Sequence, residues 1–295
     1  MKLLISTIEE RKEIETILEE FFSERGYLIF TCEGLALNQE NVYFFERFET
    51  DKSGFEFFMQ MCNNSKNPEE FLTKVKKIII QKGLYPKEHY LFIKELLKKD
   101  VFNYNIIIYS EDCHNFLWIS WSLKYGIKVN LLQDCKKLSE IMYSITGKEE
   151  KKLFRKTHYL KCIDECLRKQ NTPYPGNFDG IVYDRKSLKP KFILEYSKVD
   201  WVYRHNKDID YHLKWYCDDK NNEVWKSDIN RWNSLYLLGN FLGIPIFIIW
   251  WGTGKKEYAF GELKKVGTRC SESIEIIKDK LGLNDLLVIL EGKLK

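Results

Sequence analysis

No Cys-x-x-Cys pair occurs in this chain, and no glycine-rich loop stands at a strand-to-helix turn. The first absence, in a chain too long to need a disulfide framework, argues for reduced thiols at the eight cysteines: 32, 62, 113, 135, 162, 166, 217 and 270. The second argues against a dinucleotide site. The apolar run Phe241–Trp251 is too short to cross a bilayer, and MKLLISTIEERKEIE turns charged too soon for a signal peptide or a span. A soluble, cytoplasmic protein is expected. Neither an internal repeat nor a low-complexity tract is present. An excess of charge is lacking too: 47 basic against 43 acidic residues leave a formal +4. Net charge therefore neither demands nor excludes nucleic acid, and local clustering must decide.

What is there is apolar and aromatic. Over 295 residues, 44% hydrophobic and 15% aromatic content marks a globular chain with a substantial core, enough for one large domain or two ordinary ones. Residues 7–25 read as a helix, with Thr7 able to cap and Ile8, Ile14, Ile17, Leu18 and Phe21 at helical spacing. Tyr27–Cys32 is strand-like, and 53–98 is mainly helical, with amphipathic stretches at Glu69–Lys82 and Pro86–Lys99. Tyr104–Tyr109 and Ile127–Leu132 read as strands, Asn115–Tyr125 and Cys135–Tyr143 as helices, an order that predicts a βαβα unit with parallel strands. Glu111, Asp112 and Asp134 then fall past strand ends, where open α/β sheets bind ligands; helix capping by Asp112 and Asp134 is the plainer reading. The charged run Gly147–Lys152 is the expected domain boundary, followed by a helix over 149–169 with Leu153, Leu160, Ile163 and Leu167 as its apolar stripe. Cys162-x-x-x-Cys166 with His158 can be drawn as a metal site, against the plainer reading of small buried thiols.

The chemistry concentrates in Gly176–Lys198, GNFDGIVYDRKSLKPKFILEYSK. Phe178–Tyr183 and Lys191–Val199 read as two strands joined by a polar loop that ends in Pro190. Asp179 opens the first strand, and Glu195 sits inside Phe192-Ile193-Leu194-Glu195-Tyr196. A carboxylate flanked by strand residues is costly to bury unless paired or bound to a cation. Two on neighbouring strands point to an oxygen-ligand site for a hard divalent metal.

Gly176-x-x-Asp179 followed by Glu195-Tyr196-Ser197-Lys198 resembles the core motif of the PD-(D/E)xK nucleases, and its Gly-x-x-Asp form is similar to the RecB-like branch. The motif is short and covers only the second half of the chain. The resemblance implies a restriction-endonuclease-like mixed β-sheet flanked by helices over 149–295, preceded by a helix-rich α/β region over 1–148. It implies Asp179 and Glu195, with the Tyr196 carbonyl, as ligands for Mg²⁺ or Mn²⁺, and Lys198 as the residue that positions or activates water. A preceding helix often lends a further ligand in this family, which makes Glu165 and His158 candidates; a solvated polar face is the alternative. Some RecB-like nucleases carry an iron–sulfur cluster, whose clustered cysteines are missing from this sequence.

One spacing departs from the family, which has Glu-x-Lys where this chain has Glu-x-x-Lys. The pleat period of two would put Ser197 beside Glu195 and turn Lys198 away. A β-bulge at Tyr196–Ser197 would restore the geometry; otherwise Lys191 or Arg231 must supply the charge. Beyond the motif, Asp200–Lys226 interleaves cations with rings, so Arg204, Lys214 and Trp215 are candidate contacts to phosphates and bases; such rings also fill cores. A helix over Asp228–Leu242, capped by Asp228 and Gly243, carries Arg231, with Tyr236 present but Trp232 where the RecB-like branch tends to have Gln. A strand Pro245–Trp251, a hairpin with Glu257–Leu263, a helix Ile274–Leu281 and a strand Leu286–Leu290 complete the expectation. The reading is a metal-dependent nuclease, DNA favoured over RNA, of restriction or antiviral-defence type, with a homodimer or partner contact through the N-terminal half. The alternatives are a nuclease-fold module that binds without cutting, and a regulatory small-ligand domain at 104–147.

Overall fold

The computed structural model describes residues 3–5, 12–38, 41–146, 162–170, 172, 176–199, 222–252, 257–266 and 274–295. The described elements begin with β1 (Leu3–Ile5), α1 (Lys12–Glu24), β2 (Tyr27–Asn38), β3 (Asn41–Thr50), α2 (Lys52–Asn63), α3 (Pro68–Gln81) and α4 (Lys87–Leu96). Next come β4 (Phe102–Ser110), β5 (Phe116–Ser122), β6 (Gly126–Leu132), α5 (Cys135–Thr146) and α6 (Cys162–Lys169). The remainder is β7 (Gly176–Asp184), β8 (Pro190–Lys198), α7 (Asn222–Leu242), β9 (Ile246–Trp251), β10 (Tyr258–Leu263), β11 (Ile274–Leu281) and α8 (Leu283–Leu294). The chain is mixed α/β, with mixed sheet flanked by helices. Among the described residues no helix is long and apolar enough to cross a membrane.

Two compact units divide the chain: Met1–Glu10 with Cys32–Phe178, and Arg11–Thr31 with Asp179–Lys295. This differs from the boundary expected at 147–152. The physical reasons lie at both ends. In the first unit, disulfides Cys113–Cys162 and Cys135–Cys166 tie α6 to the loop after β4 and to α5, so the expectation of reduced thiols is also corrected for these four. In the second, the apolar face of α1 (Ile14, Leu18, Phe21, Phe22) joins Phe192, Leu194 and Phe247 in one core.

In the first unit the strand order is β2-β3-β4-β5-β6, with β1 antiparallel to the end of β3. β3 and β4 run parallel there, and β4, β5 and β6 form an antiparallel meander. The βαβα expectation fails because Asn115–Tyr125 holds a strand rather than a helix. Phe116, Leu117, Trp118 and Ile119 are all buried, so both faces of β5 are apolar, and a short apolar run of that kind does not betray its period. Asp134 does cap α5, accepting from the Lys137 N–H at 2.8 Å. Asp112 instead closes a turn by accepting from Ser110 and from the His114 N–H. The helical reading of 53–98 resolves into α2, α3 and α4, with Asp51 and Asn67 accepting from the Gly54 and Glu70 N–H groups at the starts of α2 and α3.

In the second unit the order is β11-β10-β9-β8-β7-β2. β7 and β8 are antiparallel, β8 and β9 parallel with α7 between them in sequence, and β9, β10 and β11 antiparallel. The two C-terminal assignments exchange places. IEIIKDKL is strand because its alternation matches β10, and Leu286, Leu290 and Leu294 bury one face of helix α8. Asp228 lies inside α7, which starts at Asn222, so it is no cap, whereas Gly243 ends that helix at φ +72°. At Gly180 a Cβ would come within 2.4 Å of the Ile29 Cγ2 and 3.2 Å of the Phe30 carbonyl oxygen. Gly180→Ala is therefore expected to destabilise by about 1–3 kcal/mol through overpacking, measured as a lowered urea midpoint at unchanged slope.

Candidate active site

The loop between β7 and β8 is pinned by Asp184, whose carboxylate accepts from the Lys186 N–H at 3.0 Å and the Ser187 N–H at 2.6 Å. The Ser187 hydrogen bonds, backbone first, hold its pKa below the ordinary aspartate value. The register then runs Ile181↔Ile193 and Gly180↔Leu194, which, carried one pair further, sets Asp179 opposite Glu195. Asp179 is 4% exposed and Glu195 0%. The Asp179 Oδ2 accepts from the Tyr196 N–H at 2.6 Å, so its carboxylate lies at the peptide that follows Glu195.

Strand alternation decides the surroundings. Phe192, Leu194 and Tyr196 belong to the core shared with α1 and α8; Ile193, Glu195 and Ser197 share the opposite phase. Ser197 is half-buried in that phase. The ladder from β8 to β9 runs without irregularity from Ile193↔Ile246 to Lys198↔Trp251. Of the two alternatives, the bulge at Tyr196–Ser197 is absent from that ladder, and Lys198 holds the strand phase of Tyr196. Lys191 is engaged elsewhere, donating from Nζ to the Leu294 carbonyl at 3.0 Å. Arg231 falls on α7. Glu165 belongs to the first unit, where its carboxylate pairs with Lys169 at 3.2 Å on a half-exposed helix face. His158, Arg204, Lys214 and Trp215 lie outside the described residues.

Two buried carboxylates with an adjacent backbone carbonyl are hard oxygen donors. Among the described residues no group of three or more His, Cys, Asp or Glu is poised to hold a metal. Magnesium does not require one, because it is commonly held by one or two carboxylates and keeps several waters. The donor set fits Mg²⁺ or Mn²⁺.

A second set of buried ionisable groups, Glu46 and Arg47 on β3 with His89 on α4, escaped sequence reasoning. Glu46 Oε1 meets His89 Nε2 at 2.5 Å, and the Tyr85 ring stacks on His89 with centroids 4.1 Å apart. Burial, then the Glu46 charge, pushes the Tyr85, Tyr90 and Tyr104 hydroxyls well above the usual tyrosine range. On the neighbouring residue, Arg47 pairs with Glu33 at 2.9 Å and Asp164 at 2.5 Å. The adjacent Glu46-Arg47 within VYFFERF was the available signal: charges inside a strand-like apolar run. Set beside known proteins, the chain matches no family model, no curated protein and no solved structure.

Proposed function

We propose that this protein is a divalent-metal-dependent nuclease of restriction-endonuclease-like fold, hydrolysing phosphodiester bonds in nucleic acid and acting on DNA in preference to RNA. The observation that carries the reading is the Asp179 carboxylate seated on the Tyr196 N–H, beside a fully buried Glu195 on the next strand. The element order β7, β8, α7, β9, with β8 and β9 parallel, supports it, since strand, strand, helix, strand is the order that core requires.

Asp179, Glu195 and the Tyr196 carbonyl hold the cation. A bound Mg²⁺ or Mn²⁺ supplies Lewis acidity at the phosphate and a water of lowered pKa. Burial strengthens the field of both carboxylates, because few waters screen them. Lys198 is the motif residue for stabilising charge that develops on the phosphate. Arg204, Lys214, Trp215 and Arg231 contact the nucleic acid, and the first unit supplies specificity, a partner surface or a dimer contact. A second reading, a nuclease-fold module that binds without cutting, is favoured by the unbroken ladder through Lys198.

Cleavage of plasmid DNA, single-stranded DNA and RNA, with Mg²⁺ or Mn²⁺ against EDTA, separates the two. Metal-dependent cutting of DNA is the expected result, and Lys198→Ala then reports whether that lysine takes part. No cutting of any substrate, with tight binding that survives EDTA and Asp179→Ala, would replace the nuclease by the binding module.

A further inference from the structure

Four of the cysteines meet at one place in the first unit, and they come from three separate segments. Cys113 follows β4, Cys135 begins α5, and Cys162 and Cys166 stand one turn apart on α6. Cys162 is bonded to Cys113 and Cys166 to Cys135, with Cα atoms 5.8 and 5.6 Å apart. The two bridges are neighbours, because the Cys135 Sγ lies 3.9 Å from the Cys113 carbonyl oxygen. All four side chains belong to, or pack against, the core built on Leu138, Met142 and Ile163. Cys32 and Cys62 stand outside this cluster as free thiols.

From this convergence we infer that the four sulfurs, when reduced, form a structural zinc site: one Zn²⁺ held by Cys113, Cys135, Cys162 and Cys166. A closed tetrahedral tetrathiolate needs sulfurs about 3.8 Å apart around a centre about 2.3 Å from each. The sulfurs are in bonded contact two by two, and the Cys135 Sγ lies against the Cys113 carbonyl, so opening the bridges leaves four thiols at one place. Thiolates are soft ligands, which selects zinc over magnesium or calcium. Each bridge takes two electrons and two protons from a dithiol reductant, which becomes a cyclic disulfide, and yields two thiols. The ion then displaces four protons as four sulfur–metal bonds form. Either state ties α6 to the loop after β4 and to α5. Where the bridges are reduced, the ion keeps that tie. This site is separate from the Asp179–Glu195 pair and stands whether or not that pair cuts nucleic acid.

The test is metal analysis of the full-length chain, reduced with dithiothreitol, exchanged into Zn²⁺ and passed over a chelating resin. One zinc per chain is expected, with four sulfurs at about 2.3 Å in X-ray absorption and four of the eight cysteines protected from alkylation. Cys166→Ser and Cys135→Ser should each lose the ion, while Cys62→Ser keeps it. A cobalt-loaded sample should show thiolate-to-metal charge transfer that Cys166→Ser lacks. Folded wild-type chain that retains no zinc and exposes these four thiols to alkylation overturns the inference. So does iron in place of zinc, or closure of both disulfides with zinc and reductant present. The wild-type measurement decides even if the serine variants fail to fold.

Discussion

Glu195→Gln is expected to lower metal-dependent cleavage by about 10²–10³-fold or more, the scale of removing one preorganised electrostatic contact at the reacting centre. At 1.36 kcal/mol per tenfold, that is roughly 3–4 kcal/mol of transition-state stabilisation. The substitution keeps the shape of a fully buried side chain, so circular dichroism and the melting temperature in EDTA should stay near wild type. A second readout is independent of turnover. A ligand that binds only the folded state stabilises it in proportion to RT ln(1 + [L]/Kd), so Mg²⁺ should raise the wild-type melting temperature and leave that of Glu195→Gln unmoved. A variant that cuts at the wild-type rate, or that gains the same stabilisation from Mg²⁺, would remove Glu195 from the metal site.

The largest effect on stability is expected at Arg47. Its side chain is 7% exposed, and the guanidinium joins Glu33, on β2, to Asp164, on α6. Arg47→Met leaves the Glu33 side chain, 8% exposed, without that cation. Removing one partner of a buried pair costs about 3–5 kcal/mol, because the remaining charge keeps its desolvation penalty. For a protein of this size that corresponds to a fall in melting temperature of roughly 6–20 °C. The double variant Arg47→Met/Glu33→Gln should recover part of the loss, since the stranded charge is then gone as well. Thermal melts of the three proteins check this; a loss below about 1 kcal/mol, within the range of exposed ion pairs, would show that water screens the pair.

Legibility followed the range of the forces involved. The strands around Asp179 and Glu195, the helices of 53–98 and the hairpin that starts at Trp251 were readable from local alternation and periodicity. Asn115–Tyr125 was misread because a short apolar run satisfies both periods, and pairing with β4 and β6 decides. At the C-terminus, pairing with β10 makes Ile274–Leu281 a strand, and burial of Leu286, Leu290 and Leu294 makes the last segment a helix. The carboxylate pair was legible as chemistry, since Asp and Glu inside strand patterns need a partner. The phase of Lys198 was not, because a bulge is a property of two paired strands and not of one.

The sequence by itself determined that this is an α/β chain with two acidic residues committed to adjacent strands, through side-chain period and the cost of burying charge. Only the tertiary structure decided three further things. It placed Asp179 on the Tyr196 N–H, assigned α1 to the same unit as β8, and gathered Cys113, Cys135, Cys162 and Cys166 from across 54 positions of chain (113 to 166, counted inclusively). Each of these is a contact between residues far apart in sequence. No local pattern encodes such a contact, because it is set by which apolar faces find one another when the core closes.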